Sequence, residues 1–485
     1  MEELTVSFFT RVAFVAVAGV ALASCTLGPD YRRPQVNLPA VHRGSSQAVT
    51  AASLADVQWF ELFRDDQLTA LVEAALKENF DVRIAAERVL QARAAYGITR
   101  ANEVPTVDAG AGVSAIRAPR NGANGAIPRD IDASLSYLEA GFSVGWELDL
   151  WGRLRRLSEA ARAQYLATEE ARRGVVTTLV ADVAEGYLAL RALDLELEIA
   201  QRTREVATDS LRLTKVRHTG GVAGGLDLRQ AEQLLFTARA QISSLERDIA
   251  QAENALSLLV GGLPGPVQRG LSLDTLQAPP AIPAGLPSSL LERRTDIRQA
   301  ELELIAANAQ IGAVKAERFP RIALTGFFGA QSRALTDLLN APARVATASL
   351  GAVAPLFDRG RTRANVELAE AIQREAVVNY ERVVYTAFRD VADSLAAYAK
   401  TSEQRAEQQR LVDALRDSTR LSNARYRGGL DSYLPVLDAQ RNLFASELEL
   451  ARLHQRELSA IVQLYRALGG GWSEGEKRGH TWRNE

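Results

Sequence analysis

The sequence predicts an α+β membrane protein built by tandem duplication, with four membrane β-strands and long coiled-coil-like helices in each chain. Three observations carry this. First, RHTGGVAGGLDLRQAEQ (217–233) falls on RYRGGLDSYLPVLDAQR (425–441) when Gly220-Gly221 is laid on Gly428-Gly429, an offset of 208 (428 − 220). The same offset puts Arg217 on Arg425, Leu226 on Leu434 and ADVAEGYLAL (181–190) on RDVADSLAAY (389–398). Self-similarity over roughly eighty ungapped residues means one architecture made twice. Second, the hydrophobic period switches from helical to two ahead of each long helix. Third, residues 153–218 and 361–427 contain no proline and carry heptad-like apolar seams.

Composition narrows the partners. Lys and Arg number 57 against 59 Asp and Glu, and no basic cluster is interleaved with aromatics, so nucleic acid is not an expected partner. One Cys excludes internal disulfides and Cys-based zinc sites, and His42, His218, His454 and His480 have no ligand spacing, so no metal or cofactor is expected. The sequence has no GxSxG, phosphate loop or HExxH, and its many carboxylates lie in helical charge patterns whose default is a solvated face. An enzyme is therefore not expected.

In chain order, residues 1–24 read as a signal peptide. VAFVAVAGVALA (12–23) is too short to span a bilayer as a helix, and Leu22-Ala23-Ser24-Cys25 resembles a bacterial lipobox, which implies lipid on Cys25. Glu2 and Glu3 stand where such signals carry basic residues. Residues 25–58 are rich in Pro and small residues and read as an extended, lipid-anchored tether. The first repeat, 59–264, opens a helical region at Trp59 and Phe60, continues through a helix from about Asp81 to Asn102, and enters a β-hairpin over 106–150. There Leu138, Ala140, Phe142, Val144, Trp146, Leu148 and Leu150 alternate with polar or small residues, a strand with one apolar face. Helices over 153–219 and 226–260 follow; 67 residues at 1.5 Å rise give a helix of ~100 Å. After a linker, 265–287, the second repeat (288–468) runs through a helix 288–317, a hairpin 321–356 and helices 361–427 and 434–468. Residues 469–485 read as a flexible tail.

The seams are Val176, Val180, Val183, Tyr187 and Leu190 in the first long helix, and Val384, Phe388, Val391, Leu395 and Tyr398 in the second. Each long helix reverses at a Gly-Gly pair, as a left-handed cap requires. Four strands cannot close a barrel, so strands in a membrane must be pooled between chains: two would supply 8, three 12.

The lipobox followed by GPDYRRP (28–34), the junction WELDLWGR (146–153) and the turn RYRGGLDSYLPVLDAQR together resemble the TolC-like outer membrane factor family, in its lipoprotein branch serving RND-type efflux systems. The resemblance covers residues 22 to about 468. It implies a homotrimer with a 12-stranded outer-membrane β-barrel continued by a 12-helix α-barrel, an equatorial domain, and, as partners, outer-membrane lipid, a periplasmic adaptor protein and an inner-membrane RND-type transporter. The expected function is a passive exit duct for small molecules; a type I protein-secretion duct shares the fold, and a lipid-anchored periplasmic scaffold without membrane strands is the third reading.

Two candidate sites follow. Leu434, Asp438 and Arg441 share one face of the second returning helix, so symmetry copies would form a ring of Leu and of carboxylate, a gate able to select cations; an ordinary Asp438–Arg441 surface pair is the alternative. The first-repeat copies, Leu226, Gln230 and Gln233, lack the carboxylate, and Asp227 has no acidic counterpart because Pro435 stands there. By resemblance, Arg217, Gly220, Gly221, Arg425, Gly428 and Gly429 are the tips offered to the adaptor.

Overall fold

The computed structural model describes residues 26–44, 53–57, 62–117, 119, 121–122, 125–126, 134–276, 283 and 285–470. The expected signal peptide, Cys25, Trp59, Phe60 and residues 471–485 of the tail lie outside them. The chain divides into two compact units: 1–34 with 89–168 and 300–380, and 35–88 with 169–299 and 381–485.

The first unit is organised around a sheet of β1 (Thr106–Arg117), β2 (Ser134–Leu148), β3 (Arg321–Ser332) and β4 (Arg344–Val353), paired in that order and antiparallel throughout. The expected hairpins end earlier than 150 and 356 because a turn at Asp149–Gly152 and an irregular stretch after Val353 break the pleat. Register is matched to chemistry. Val107 faces Val144, Phe142 faces Phe328, and Leu324 faces Leu350, so one face carries large apolar residues from all four strands, while Ile116, Leu135, Phe327, Val345 and Val353 fall on the other. On the other face Asp108 meets Ser143 and Glu139 meets Gln331, whose amide donates to its carboxylate. Where the two repeats meet, Gly141 lies opposite Gly329; a Cβ on Gly141 would come within 2.6 Å of the Gly329 Cα, so the pairing needs glycine there.

Each strand-to-helix junction is locked by a carboxylate. Asp149 accepts from the backbone N–H of Leu154 and Arg155, both at 3.0 Å, and Asp358 from Gly360 (2.9 Å) and Thr362 (2.8 Å). Gly152 (φ +74°) and Gly360 (φ +86°) take the left-handed step. Beside the first junction Trp151 stacks on Phe319 at 4.8 Å and donates to the Pro320 carbonyl at 2.8 Å. The start of the tether is docked here. Leu27 donates its N–H to the Trp151 carbonyl (3.2 Å) and accepts from Arg156 Nε (3.1 Å), Asn308 donates to Pro29 O (2.9 Å), and Arg33 grips Glu301 with two N–H groups at 2.6 and 2.7 Å.

The helices are α1 (Asp66–Glu78), α2 (Phe80–Ala101), α3 (Arg153–Thr219), α4 (Gly225–Leu259), α5 (Thr295–Ala316), α6 (Arg361–Arg427) and α7 (Leu434–Ala467). Helices α3 and α6 have 67 residues each and keep the 208 offset at both ends (361 − 153, 427 − 219). Upstream the offset is 215: α2 to α5 (295 − 80) and β1 to β3 (321 − 106). The first hairpin thus holds seven more residues than the second (215 − 208). Two expected helix starts shift. The helical region of 59 onward forms its helix only at Asp66, because Asp65 caps it, accepting from Gln67 and Leu68 N–H. The helix expected over 288–317 is interrupted at Arg294, whose backbone is extended (ψ 123°) while its side chain donates to Asp296, Asp390 and the Ala467 carbonyl.

In the second unit the seams are the core. Val180, Val183, Tyr187 and Leu190 of α3 and Val384, Val391 and Leu395 of α6 are buried, and α1 and α7 pack on them through Leu68, Val72, Ile461 and Leu464. The expected linker is sewn in: Leu273 and Leu276 are buried, and Arg191 donates to the Leu271 carbonyl at 2.9 Å. Asp65 is the knot. Only 2% exposed, it also accepts from Tyr187 Oη (3.0 Å) and Leu271 N–H (2.8 Å), and burial with this neighbour pushes the Tyr187 phenol up to about 12. Asp65→Ala strands these donors and is expected to lower stability by about 3 kcal/mol, read as a lower thermal midpoint with the strand signal retained. Burial also lowers the pKa of His42 and His454 below 6.5. Their neutral forms therefore contribute stability that is complete above pH 6.5 and is lost as pH falls through the lower folded values. Urea midpoints should fall with acidification below pH 6.5, and less so in His42→Phe.

Candidate functional site: the paired glycine turns

Both turns are built alike. In the first, Gly220 N–H bonds to Val216 O (3.0 Å), Val222 N–H to Arg217 O (2.9 Å), and Gly221 supplies φ +75°. In the second, Gly428 N–H bonds to Ala424 O (3.0 Å), Leu430 N–H to Arg425 O (3.0 Å), and Gly429 supplies φ +73°. These are helix ends closed by a left-handed residue. Of each glycine pair, the second is the one the backbone demands.

The arginines singled out in the turns have partners. Arg217 reaches the second turn, donating to Tyr426 O (2.8 Å) and Arg427 O (3.0 Å) with its guanidinium 4.5 Å from the Tyr426 ring centre. It thereby satisfies carbonyls that a helix end leaves unpaired. Arg425 closes its own turn on Asp431, at 2.5 and 3.2 Å. Asp227 caps α4 by accepting from Gly224 N–H (3.3 Å).

A node the sequence reading missed lies under these turns. Tyr426 and Tyr433 pack edge-on, 5.3 Å apart, with Ala207 and Leu234 of the first repeat and Val436 and Leu437 of the second in one buried cluster. Tyr426 Oη lies 3.3 Å from Thr214 Oγ1, and burial pushes the Tyr433 phenol up to about 12. Both tyrosines flank the Gly-Gly motif, which was the available signal. In the first repeat the equivalent positions are His218 and Gly225, so the node is made once.

Of the candidate gate residues, Leu434 is 55% exposed and Asp438 and Arg441 lie on the same exposed face of α7, opposite buried Val436, Leu437, Gln440 and Phe444. Among the described residues Asp438 and Arg441 do not pair with one another; Asp438 accepts from Asn442 Nδ2 at 3.3 Å. Leu226, the first-repeat copy of Leu434, is 71% exposed.

The solvated-face default fails for several carboxylates, three of which tie α7 to its neighbours. Glu447 of α7 is 8% exposed and receives Arg202 of α3 (3.0 Å) and Arg416 of α6 (2.9 Å). Glu196 of α3 binds Arg452 of α7 (2.7 Å), and Glu457 of α7 binds Arg405 of α6. These pairs staple α7 to both long helices. Their first-repeat counterparts on α4, Arg239, Ser244 and Ile249, cannot form the same ties.

An antiparallel sheet with one apolar face and two open edges, on a chain whose long helices reverse at paired glycine turns, defines an outer-membrane channel subunit. The chain belongs to the outer membrane efflux protein family, matching its model over residues 71–262 and 286–470, two segments that follow the duplication. It is 40% identical over 460 residues to the solvent efflux pump outer membrane protein SrpC of Pseudomonas putida, covering 93% of this chain and 96% of that protein. It is 36% identical over 457 residues to the probable outer membrane lipoprotein SilC of Salmonella typhimurium, covering 93% and 97%. The solved open-state structure of the Neisseria gonorrhoeae MtrE outer membrane channel matches with a TM-score of 0.84 at 32% identity, over 92% of this chain and 98% of that one. The protein is an efflux channel of the outer membrane.

Because a Cβ at Gly429 meets nothing within 4 Å, Gly429→Ala carries backbone strain alone, about 1–2 kcal/mol. Hydrogen exchange at the Leu430 amide should accelerate by about tenfold in Gly429→Ala, while Gly428→Ala leaves it nearly unchanged.

Proposed function

We propose that three copies of this chain close one membrane barrel and form the passive exit duct of a tripartite efflux system. Small molecules enter from an inner-membrane RND-type transporter through a periplasmic adaptor protein, and leave across the outer membrane. The observation that carries this reading is the sheet: four antiparallel strands, with large apolar residues in register on one face, and with β1 and β4 each paired on one side only among the described residues. In hydrocarbon an unpaired backbone group costs several kcal/mol, so the open edges must find partners. An even antiparallel meander lets β4 of one copy pair antiparallel with β1 of the next, and three copies give 12 strands, a size within the known range of such barrels.

Lipid on Cys25 fits the same frame. Two residues on, Leu27 is bonded to Trp151 at the strand-to-helix junction, where Trp151 and Phe319 stack, the residue types that mark a membrane interface. That the similar SilC is described as a probable outer membrane lipoprotein supports it. The gate is the exposed face of α7: three copies of Leu434, Asp438 and Arg441 converge on the axis and make a constriction in which carboxylates favour cations. The turns at Gly220-Gly221 and Gly428-Gly429 meet the adaptor through backbone and exposed side chains such as Val222 and Leu430, since Arg217 and Arg425 are engaged within the chain.

Single-channel recording in planar bilayers tests the duct and the gate together. Wild type should give small cation-selective openings, and Asp438→Ala should lower the cation-over-anion permeability ratio. Channels indifferent to the substitution would move the gate away from Asp438, and folded oligomers with no channel activity would revive the scaffold reading.

A further inference from the structure

In the three-copy reading above, duplication also says which helix surfaces of neighbouring copies meet. Within one chain the repeats join along α3 of the first and α7 of the second. Carried on by one repeat, that joint becomes α6 of one copy against α4 of the next. The mapping holds inside the chain. An offset of 208 takes the end of α4, Leu259, to the end of α7, Ala467 (467 − 259), and takes buried Ala231 and Leu245 to buried Ala439 and Leu453. In the sheet, the pairing of Ala109 with Phe142 reappears as Leu324 with Leu350 (324 − 109 = 215, 350 − 142 = 208).

Helix α7 buries a face that α4 leaves open. Val436 clusters with Ala207 of α3, Phe444 with Ile199 and Ala200, and Glu447 accepts from Arg202. The counterparts on α4 are Leu228, Phe236 and Arg239, and none is buried. Phe236 is 56% exposed where Phe444 is 7%. On α6 the counterparts of Glu196, Ile199 and Arg202 are Gln404, Glu407 and Arg410, all exposed. An exposed phenylalanine on a face whose twin is a packed joint has the form of a surface for a second copy.

The chemistry of the two joints differs. Within the chain Glu447 pairs with Arg202 at 3.0 Å and Glu196 with Arg452 at 2.7 Å. At the equivalent places between copies Arg239 falls opposite Arg410, and Ser244 opposite Gln404. One tie becomes a pair of like charges and the other loses its charge. Glu407, standing where Ile199 does, is already paired with Arg410 at 2.7 Å. Like charges across a joint disfavour it, and without buried ion pairs its register is less firmly fixed.

We propose that α4 of one copy docks on α6 of the next with Phe236 over Gln408, and that this seam is the joint that loosens when the duct opens, while the ion-paired joint within each chain stays closed. The proposal rests on the three-copy reading, and its test separates the two.

Oxidised in membranes, a chain carrying both Phe236→Cys and Gln408→Cys should run as cross-linked multimers on denaturing gels, and either substitution alone should not. In single-channel recordings Arg239→Glu and Arg410→Glu, each of which sets opposite charges across the seam, should lower the open probability about fivefold. Combining them restores like charges and should return it toward wild type, which a merely misfolded variant would not do. Oligomers that assemble but give no cross-link would overturn the docking. Single substitutions without effect, or a double variant that fails to recover, would overturn the seam as the moving joint. Failure of wild type to form oligomers would instead sink the three-copy reading, and it is seen before any oxidation or recording.

Discussion

The open edges of the four-stranded sheet constrain everything else in this protein. A sheet with Val107, Val144, Phe142, Phe328, Leu324 and Leu350 in register on one face suits hydrocarbon on that side, yet hydrocarbon offers no partner for the edge N–H and C=O groups of β1 and β4. The chain cannot solve this alone. Duplication is the economical solution, because each repeat supplies a hairpin and the β2–β3 pairing fuses the two hairpins into one continuous sheet. The Gly141–Gly329 contact at that seam shows how closely the repeats are fitted: their backbones approach until no side chain can intervene.

Having been duplicated, the halves have diverged where the two returning helices are held. Helix α4 is held by aliphatic contacts such as Leu234, Leu235, Ile242 and Leu245. Helix α7 is held by such contacts and also by buried ions: Glu447 between Arg202 and Arg416, Arg452 on Glu196, Glu457 on Arg405. Buried ion pairs seldom add net stability, because desolvation offsets their attraction; what they fix is register. A slip of α7 by one turn would leave three carboxylates buried without partners. The Tyr426–Tyr433 node adds to this on the second turn only, since Gly225 stands where Tyr433 would be.

Most of the architecture was legible in the sequence because it rests on periods. The 208 offset sets both ends of α3 and α6, and alternation over 138–148 sets the apolar face of β2. What escaped depends on contacts between distant segments. The break at Arg294 is imposed by Asp390 and the Ala467 carbonyl, some hundred and more residues away, and the late start of α1 by the cap at Asp65, which is itself shared with Tyr187 and Leu271. The buried fate of Glu447 was hidden for the same reason: within its own helix it sits in an ordinary charge pattern, and only Arg202 and Arg416 from elsewhere make burial tolerable. Arg217 likewise stood out as a turn residue, and its bonds to carbonyls of the other repeat were not legible in the sequence.

The staples and the gate face belong to one helix, and the proposed duct relates them. In the proposed duct three Asp438 carboxylates around an axis repel one another, and Arg441, on the same exposed face, does not pair with Asp438 among the described residues. Such a ring stays closed only if each α7 is held back by its own chain. The ties to α3 and α6 at Glu447, Arg452 and Glu457 supply that restraint from the opposite side of the helix, and they do so on the repeat that carries the carboxylate. The first repeat has Gln230 in place of Asp438, and α4 carries Arg239, Ser244 and Ile249 where α7 has Glu447, Arg452 and Glu457. In the proposed duct, the carboxylate on the exposed face of α7 and the ion pairs behind it both set the second returning helix apart from the first.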